Sequence, residues 1–321
     1  MHDRQTRAKK EKKSWIRTAL DVLIIVCIAV LTFAVFKLTS VKSENQEKNN
    51  PDVVEGNNDD DEDDGKINLN PVIGAWMSST MKDTKQAVAI YDLDNDKMVG
   101  ELNINETFPM ESLYKLPVVF EGYKRVDNGS LDGDAESAGE HTVRQCLDLA
   151  IRESNSACAE DILAKLGGEA QMDAIVQRDW GLQKTSISNL ETTADDMIKM
   201  LKRVFEHKDL SQTSWKQLQD SMLNQPPVEN QELCNGACDF RQGLPAGFTQ
   251  GTKVYDKVGW RLNGTMWMSY NDTALLEFPD NNRNFAIVTL TQLYASSDKI
   301  SELGKLTEEA IAKFQIGRAH V

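Results

Sequence analysis

Phe108-Pro109-Met110-Glu111-Ser112-Leu113-Tyr114-Lys115-Leu116-Pro117-Val118-Val119-Phe120 is the stretch on which the fold of this chain turns. If Ser112 opens a helix, a spacing of three places the Lys115 amine on the same face, one turn from the hydroxyl. A desolvated, neutral lysine there takes the serine proton and makes a nucleophile without any histidine. Such a pair is expected of a hydrolase or acyltransferase site. The Ser-x-x-Lys spacing recurs at Ser79 with Lys82 and at Ser296 with Lys299, so context has to choose. Only Ser112 leads into a long apolar run, Leu113, Leu116, Val118, Val119 and Phe120, which suits a buried helix carrying its first turn into a cleft. Ser79 reads as a solvated residue in a polar end and Ser296 as a helix N-cap.

Outward from this stretch, composition narrows the chemistry. The chain has 321 residues, 40% of them hydrophobic, enough for one sizeable core. A net charge of -14, with no basic patch beyond the extreme N-terminus, argues against nucleic acid as a partner. Of the four histidines, His2 and His320 lie near the chain ends, His207 in a charged helix end, and His141 alone near anything of interest. Neither a Ser-His-Asp triad nor a histidine-based zinc site can readily be built, so lysine is the expected base and no metal or cofactor is implied.

Residues 1–17 form a basic tail, expected to stay in the cytoplasm. Residues 18–40 read as a membrane anchor, because residues 22–36 are apolar except for Thr32, and Trp15 and Lys37 extend the segment toward the roughly 20 residues a bilayer requires. A cleaved signal peptide is the competing reading, but no small-x-small cleavage site follows. The anchor makes the lipid bilayer a partner and puts the rest of the chain outside the cell. Residues 41–66, with Asp59-Asp60-Asp61-Glu62-Asp63-Asp64, are expected to be a disordered tether, since six adjacent like charges repel and no glycine-punctuated calcium spacing is present.

The folded domain is expected over 67–315, with residues 316–321 excluded as an appended, non-native tail. A helix over 70–81 precedes a hairpin of strands 86–92 and 97–104. Helices follow over 142–152, 157–166, 169–180, 193–207 and 210–223, then strands 252–258, 268–278 and 284–292, and a terminal helix 298–314. The fold class is α+β: one antiparallel sheet built from both ends of the domain, an all-helical lobe beside it, and a cleft between them. Cys146, Cys158, Cys234 and Cys238 permit two disulfides, most economically Cys146 with Cys158 and Cys234 with Cys238, while free packed thiols are as good an expectation for the first two.

The order Ser112-Leu113-Tyr114-Lys115, then Ser154-Asn155-Ser156, then Lys257-Val258-Gly259 resembles the Ser-x-x-Lys, Ser-Asp-Asn and Lys-Thr-Gly elements of class A β-lactamases and penicillin-binding proteins. The similarity runs over roughly residues 70–315 as an ordered series of elements. The resemblance implies that Ser112 is the acylated nucleophile and Lys115 its proton acceptor. It also implies that Ser154 relays a proton to the leaving nitrogen and that Lys257 holds a substrate carboxylate. The oxyanion hole would be the backbone N–H groups of Ser112 and Trp260, with Ser156, Val258 and Gly259 lining the substrate site. Expected substrates are β-lactams or peptidoglycan-type peptides.

Three departures bear on activity. Ser156 stands where the family has asparagine, Val258 replaces a threonine hydroxyl, and the segment 168–193 is too short for the loop whose glutamate activates the deacylating water in class A β-lactamases. Acylation with weak deacylation is therefore expected, the alternative being a catalytically impaired binding or scaffold domain of the same fold at the cell envelope.

Overall fold

Lys85–Asp92 (β1) is a strand buried on both sides: Ala87 and Ala89 enter one apolar cluster, while Val88 and Ile90 enter another. The computed structural model describes residues 67–318 apart from 82–83, 224, 226–239, 250, 264–265, 280–281 and 294–295. The expected anchor (18–40), the tether (41–66) and the Cys234–Cys238 pair lie outside the described residues. Among the described residues no helix is long and apolar enough to cross a membrane.

β1 turns back into β2 (Lys97–Leu102) through a tight connection in which Asp92 accepts hydrogen bonds from the Asn95 backbone and side chain, and Asp96 takes φ +49°. After the helical middle the chain returns as β5 (Lys253–Asn263), β6 (Met266–Phe278) and β7 (Arg283–Gln292). Strand β7 pairs antiparallel with β1, Ala89 opposite Val288, giving the order β2-β1-β7-β6-β5. The sheet thus joins both ends of the domain, as the sequence predicts.

One face of the sheet is covered by α1 (Asn70–Trp76), which continues as a π turn over Met77–Met81 and packs with Val88, Ile90 and Ile287. The other face carries α2 (Lys115–Asp127), α3 (Val143–Arg152), α4 (Ser156–Lys165), α5 (Glu169–Ala174), α6 (Ala194–Glu206) and α7 (Gln212–Leu223), packed with Ala87, Ala286 and Val288. The short α8 (Leu244–Gly247) and the long α9 (Ser297–Arg318) complete the first layer. Helix starts follow local capping chemistry. Thr142 and Gln145 form a reciprocal capping box on α3, the Asn155 side chain accepts from Cys158 N–H on α4, and Thr193 accepts from Asp196 N–H on α6.

Several elements depart from their expected bounds. The α-helix begins at Lys115, not Ser112, and Glu111–Tyr114 form a 3₁₀ turn. Pro117 has no N–H to donate to the Leu113 carbonyl, and the preceding turn is closed by the tighter Leu113 N–H to Met110 carbonyl bond. Residues 175–179 are a π turn rather than α-helix. Strand β5 runs on from the expected 258 to Asn263, because Arg261 and Asn263 keep pairing with β6 although polar side chains hide the alternation. Helix α9 continues to Arg318, past the boundary expected at 315.

Candidate active site

Three side chains from the sheet fix the turn that carries Ser112. Asn271 on β6 donates to the Pro109 carbonyl at 2.6 Å, Ser269 donates to Glu111 Oε1 at 2.9 Å, and Arg261 Nε lies 3.4 Å from the same oxygen. Upstream, Phe108–Pro109 (β3) pairs with Glu191–Thr192 (β4), and Met110 N–H donates to the Leu190 carbonyl at 2.8 Å. Glu111 is held at φ +48°, a left-handed conformation that a non-glycine residue keeps only when its surroundings impose it. The half-buried Ser112 follows directly.

Strand β5 passes against this turn at Gly259. A Cβ there would stand 2.7 Å from the Met110 carbonyl oxygen and 3.0 Å from the Ser112 and Leu113 amide nitrogens. Only glycine allows that approach. It sets the Ser112 amide beside the strand on which Trp260 is the next residue, the arrangement two backbone donors need to face one developing oxyanion. The Trp260 ring is half-buried and stacks on Phe240 with centroids 5.1 Å apart.

Two buried lysines converge on Ser154. Lys115, only 1% exposed, directs its Nζ to the Ser154 carbonyl at 2.5 Å, to Ser154 Oγ at 3.1 Å and to Ser156 Oγ at 3.0 Å. Lys257, with no exposed surface, donates to Ser154 Oγ at 3.0 Å and to the Val258 carbonyl at 2.8 Å. Ser154 adopts φ +53° between α3 and α4. Glu153 and Asn155 N–H groups both donate to the Leu149 carbonyl, and the Cys146–Cys158 disulfide ties the two helices on either side, with Cα atoms 4.8 Å apart. One hydroxyl is thereby presented to two amines.

Burial governs the charge of both amines. It pushes Lys115 down to about 8 against the opposing field of Glu160, and pushes Lys257 down to about 7, helped by repulsion from Lys115. Asp256 and Asp272, both fully buried, pull Lys257 the other way. Burial in turn raises Asp272 to about 7 and lifts Asp256 well above the ordinary carboxylate range, with repulsion from Asp272 adding to it. A lysine whose amine and ammonium forms are both populated near neutral pH can accept a serine proton.

Of the residues singled out in the sequence, Lys115, Ser154, Ser156 and Lys257 are brought together, and Gly259 borders the Ser112 turn. Val258 contributes only its backbone carbonyl: its side chain is 1% exposed and belongs to the apolar layer beneath α9. Ser156 faces Lys115 and accepts from it, a contact that an asparagine expectation conceals. Glu111, Ser269 and Asn271 carry no signal in the sequence, because their contacts depend on which residues of β6 lie beneath the Ser112 turn. Among the described residues no group of His, Cys, Asp and Glu is placed to hold a metal ion.

The sequence profile of the beta-lactamase enzyme family matches residues 71–314. Among solved structures, a mutant of PBP-A in an acyl-enzyme complex with penicillin G superposes with a TM-score of 0.64 at 19% identity, covering 76% of this chain and 97% of that one. An ancestral class A β-lactamase gives 0.64 at 21% identity over 75% and 99% of the two chains. A β-lactamase from Chitinophaga pinensis gives 0.63 at 17% identity over 74% and 97%. At such identities the likeness is one of fold. No curated protein matches this sequence.

Proposed function

Because the chain belongs to the beta-lactamase enzyme family, we propose that it is a membrane-anchored serine hydrolase acting outside the cell through an acyl-serine intermediate on β-lactams or peptidoglycan-type peptides. The observation that carries this is the convergence of two buried, pKa-depressed lysines on the Ser154 hydroxyl next to the Ser112 turn. In acylation the neutral Lys115 amine takes the Ser112 proton, and Oγ adds to the substrate carbonyl. The oxyanion rests on the Ser112 and Trp260 amides, each such donor contributing about 3 kcal/mol in tested enzymes. The proton then passes from Lys115 through Ser154 to the leaving nitrogen, and Lys257 holds the substrate carboxylate. Deacylation is weak, since the short segment 168–193 holds no Glu-x-x-Leu-Asn. Residues 18–40 tether the domain to the bilayer, with the N-terminus cytoplasmic.

One observation favours a second reading, a binding or scaffold domain that has lost turnover. Lys115 Nζ has three oxygen neighbours within hydrogen-bond distance, and an ammonium satisfies all three as donor, leaving no lone pair for a proton. A neutral amine fits the same site only if a serine hydroxyl donates to it. Incubating the full chain with a fluorescent penicillin decides between them. A stable adduct that Ser112→Ala abolishes supports the enzyme; no adduct leaves the scaffold.

A further inference from the structure

The strongest feature left unused lies on α4. Ser156, its first residue, meets the Lys115 amine at 3.0 Å, and Glu160 follows one turn later on the same face. Cys158, Ala159, Ile162 and Leu163 turn into the core, while Ser156, Ala157 and Glu160 form the exposed side. The carboxylate therefore stands at the open edge of the site, just beyond the serine that contacts Lys115. Its charge reaches two residues just after Ser112: it opposes the burial-driven fall of Lys115 and adds to the burial-driven rise of Tyr114. Among the described residues no hydrogen bond or ion pair occupies it, so both oxygens remain open to water. The other acids of the neighbouring segment are placed otherwise. Glu169 opens α5, Asp173 accepts from the Ile187 N–H, Asp179 pairs with Arg178, and Glu191 lies in β4 opposite Pro109 without acting on Lys115.

We propose that Glu160 is the general base that activates water in hydrolysis of the Ser112 acyl-enzyme, taking the place of the loop glutamate for which segment 168–193 is too short. This rests on the acyl-serine mechanism given above. Glu160 removes a proton from water as the water oxygen bonds to the acyl carbon. Collapse of the tetrahedral adduct breaks the bond from the acyl carbon to Ser112 Oγ. The proton returns from the Glu160 carboxyl through the neutral Lys115 amine to the serine oxygen, so both groups end as they began. An exposed base on one helix face, without a partner to orient it, activates water less well than a buried and braced one, in keeping with slow turnover.

The test separates acylation from hydrolysis. The full chain and its Glu160→Gln, Glu160→Ala and Glu191→Gln variants are pulsed with penicillin G and freed of excess ligand. The mass of the Ser112 adduct is then followed with time. Glu160→Gln and Glu160→Ala are expected to acylate no more slowly than wild type, since loss of the carboxylate lets Lys115 fall further, and to lose the adduct about 100-fold more slowly, while Glu191→Gln decays like wild type. Wild-type decay in both Glu160 variants overturns this role and leaves the acyl-enzyme standing. A parallel fall in acylation and decay also overturns it, since losing the Glu160 field favours neutral Lys115 and by itself cannot slow acylation, which leaves Glu160 only a structural part on α4. Absence of any adduct on the wild-type chain removes the acyl-enzyme, and this role with it.

Discussion

Gly259→Ala tests the closeness of β5 to the nucleophile turn. The added methyl would meet the Met110 carbonyl oxygen at 2.7 Å, where ordinary contact begins at 3.4 Å, so strand and turn must part by about 0.7 Å. The neighbouring atoms are backbone, and Asn271 ties that backbone to the sheet through the Pro109 carbonyl, which leaves no flexible side chain to absorb the clash. Overpacking of this kind costs about 1–3 kcal/mol of stability, and for a domain of this size that lowers Tm by roughly 2–12 °C. The chemical effect should be larger. A misplacement approaching 1 Å between two oxyanion donors costs on the order of 100-fold in rate. Acylation of the full chain by a fluorescent penicillin, measured beside thermal unfolding, reads both effects. Acylation within about threefold of wild type would refute the idea that the Gly259 approach builds the oxyanion site.

Other outcomes follow from the same geometry. Since Lys115 must be neutral to accept a proton and burial sets it near 8, acylation should rise as pH is raised from 6 toward 8; a flat single-turnover profile would contradict its role as base. Asp272 is raised to about 7 in the folded protein, so its contribution to stability is present at acid pH and is lost as pH climbs through 7. Asp272→Asn should flatten the pH dependence of the urea midpoint between pH 5 and 8, and an unchanged slope would sink that assignment. Replacing both Cys146 and Cys158 by alanine removes a cross-link between residues 12 apart. It should cost about 3 kcal/mol in denaturant unfolding, and a loss below about 0.5 kcal/mol would show that the bridge contributes little.

The sheet and the helical lobe were legible because their signals are local: alternation in β1 and β7, and cap residues such as Thr142 and Thr193 at helix starts. The meeting of Lys115, Ser154 and Lys257 near the Ser112 turn was legible through the order of the motifs rather than through any one spacing, since Ser-x-x-Lys occurs three times. What sequence concealed depends on register. That Asp256 and Asp272 share a buried neighbourhood follows from Val258 facing Asp272 across β5 and β6, which no local pattern fixes. The left-handed Glu111 is imposed from outside by Ser269 and by the strand at Gly259. The Val258 side chain could be assigned to the site only by analogy, and packing sends it into the opposite layer.

Lys115 and Lys257 meet at one hydroxyl, and the charge of Lys115 discourages protonation of Lys257, so the two amines titrate as a linked pair. An anion settling beside Lys257 would fix a proton there and, by reciprocity, help to strip one from Lys115. The arrival of a negatively charged guest would then itself arm the base, and an empty cleft would keep its serine comparatively inert toward passing electrophiles.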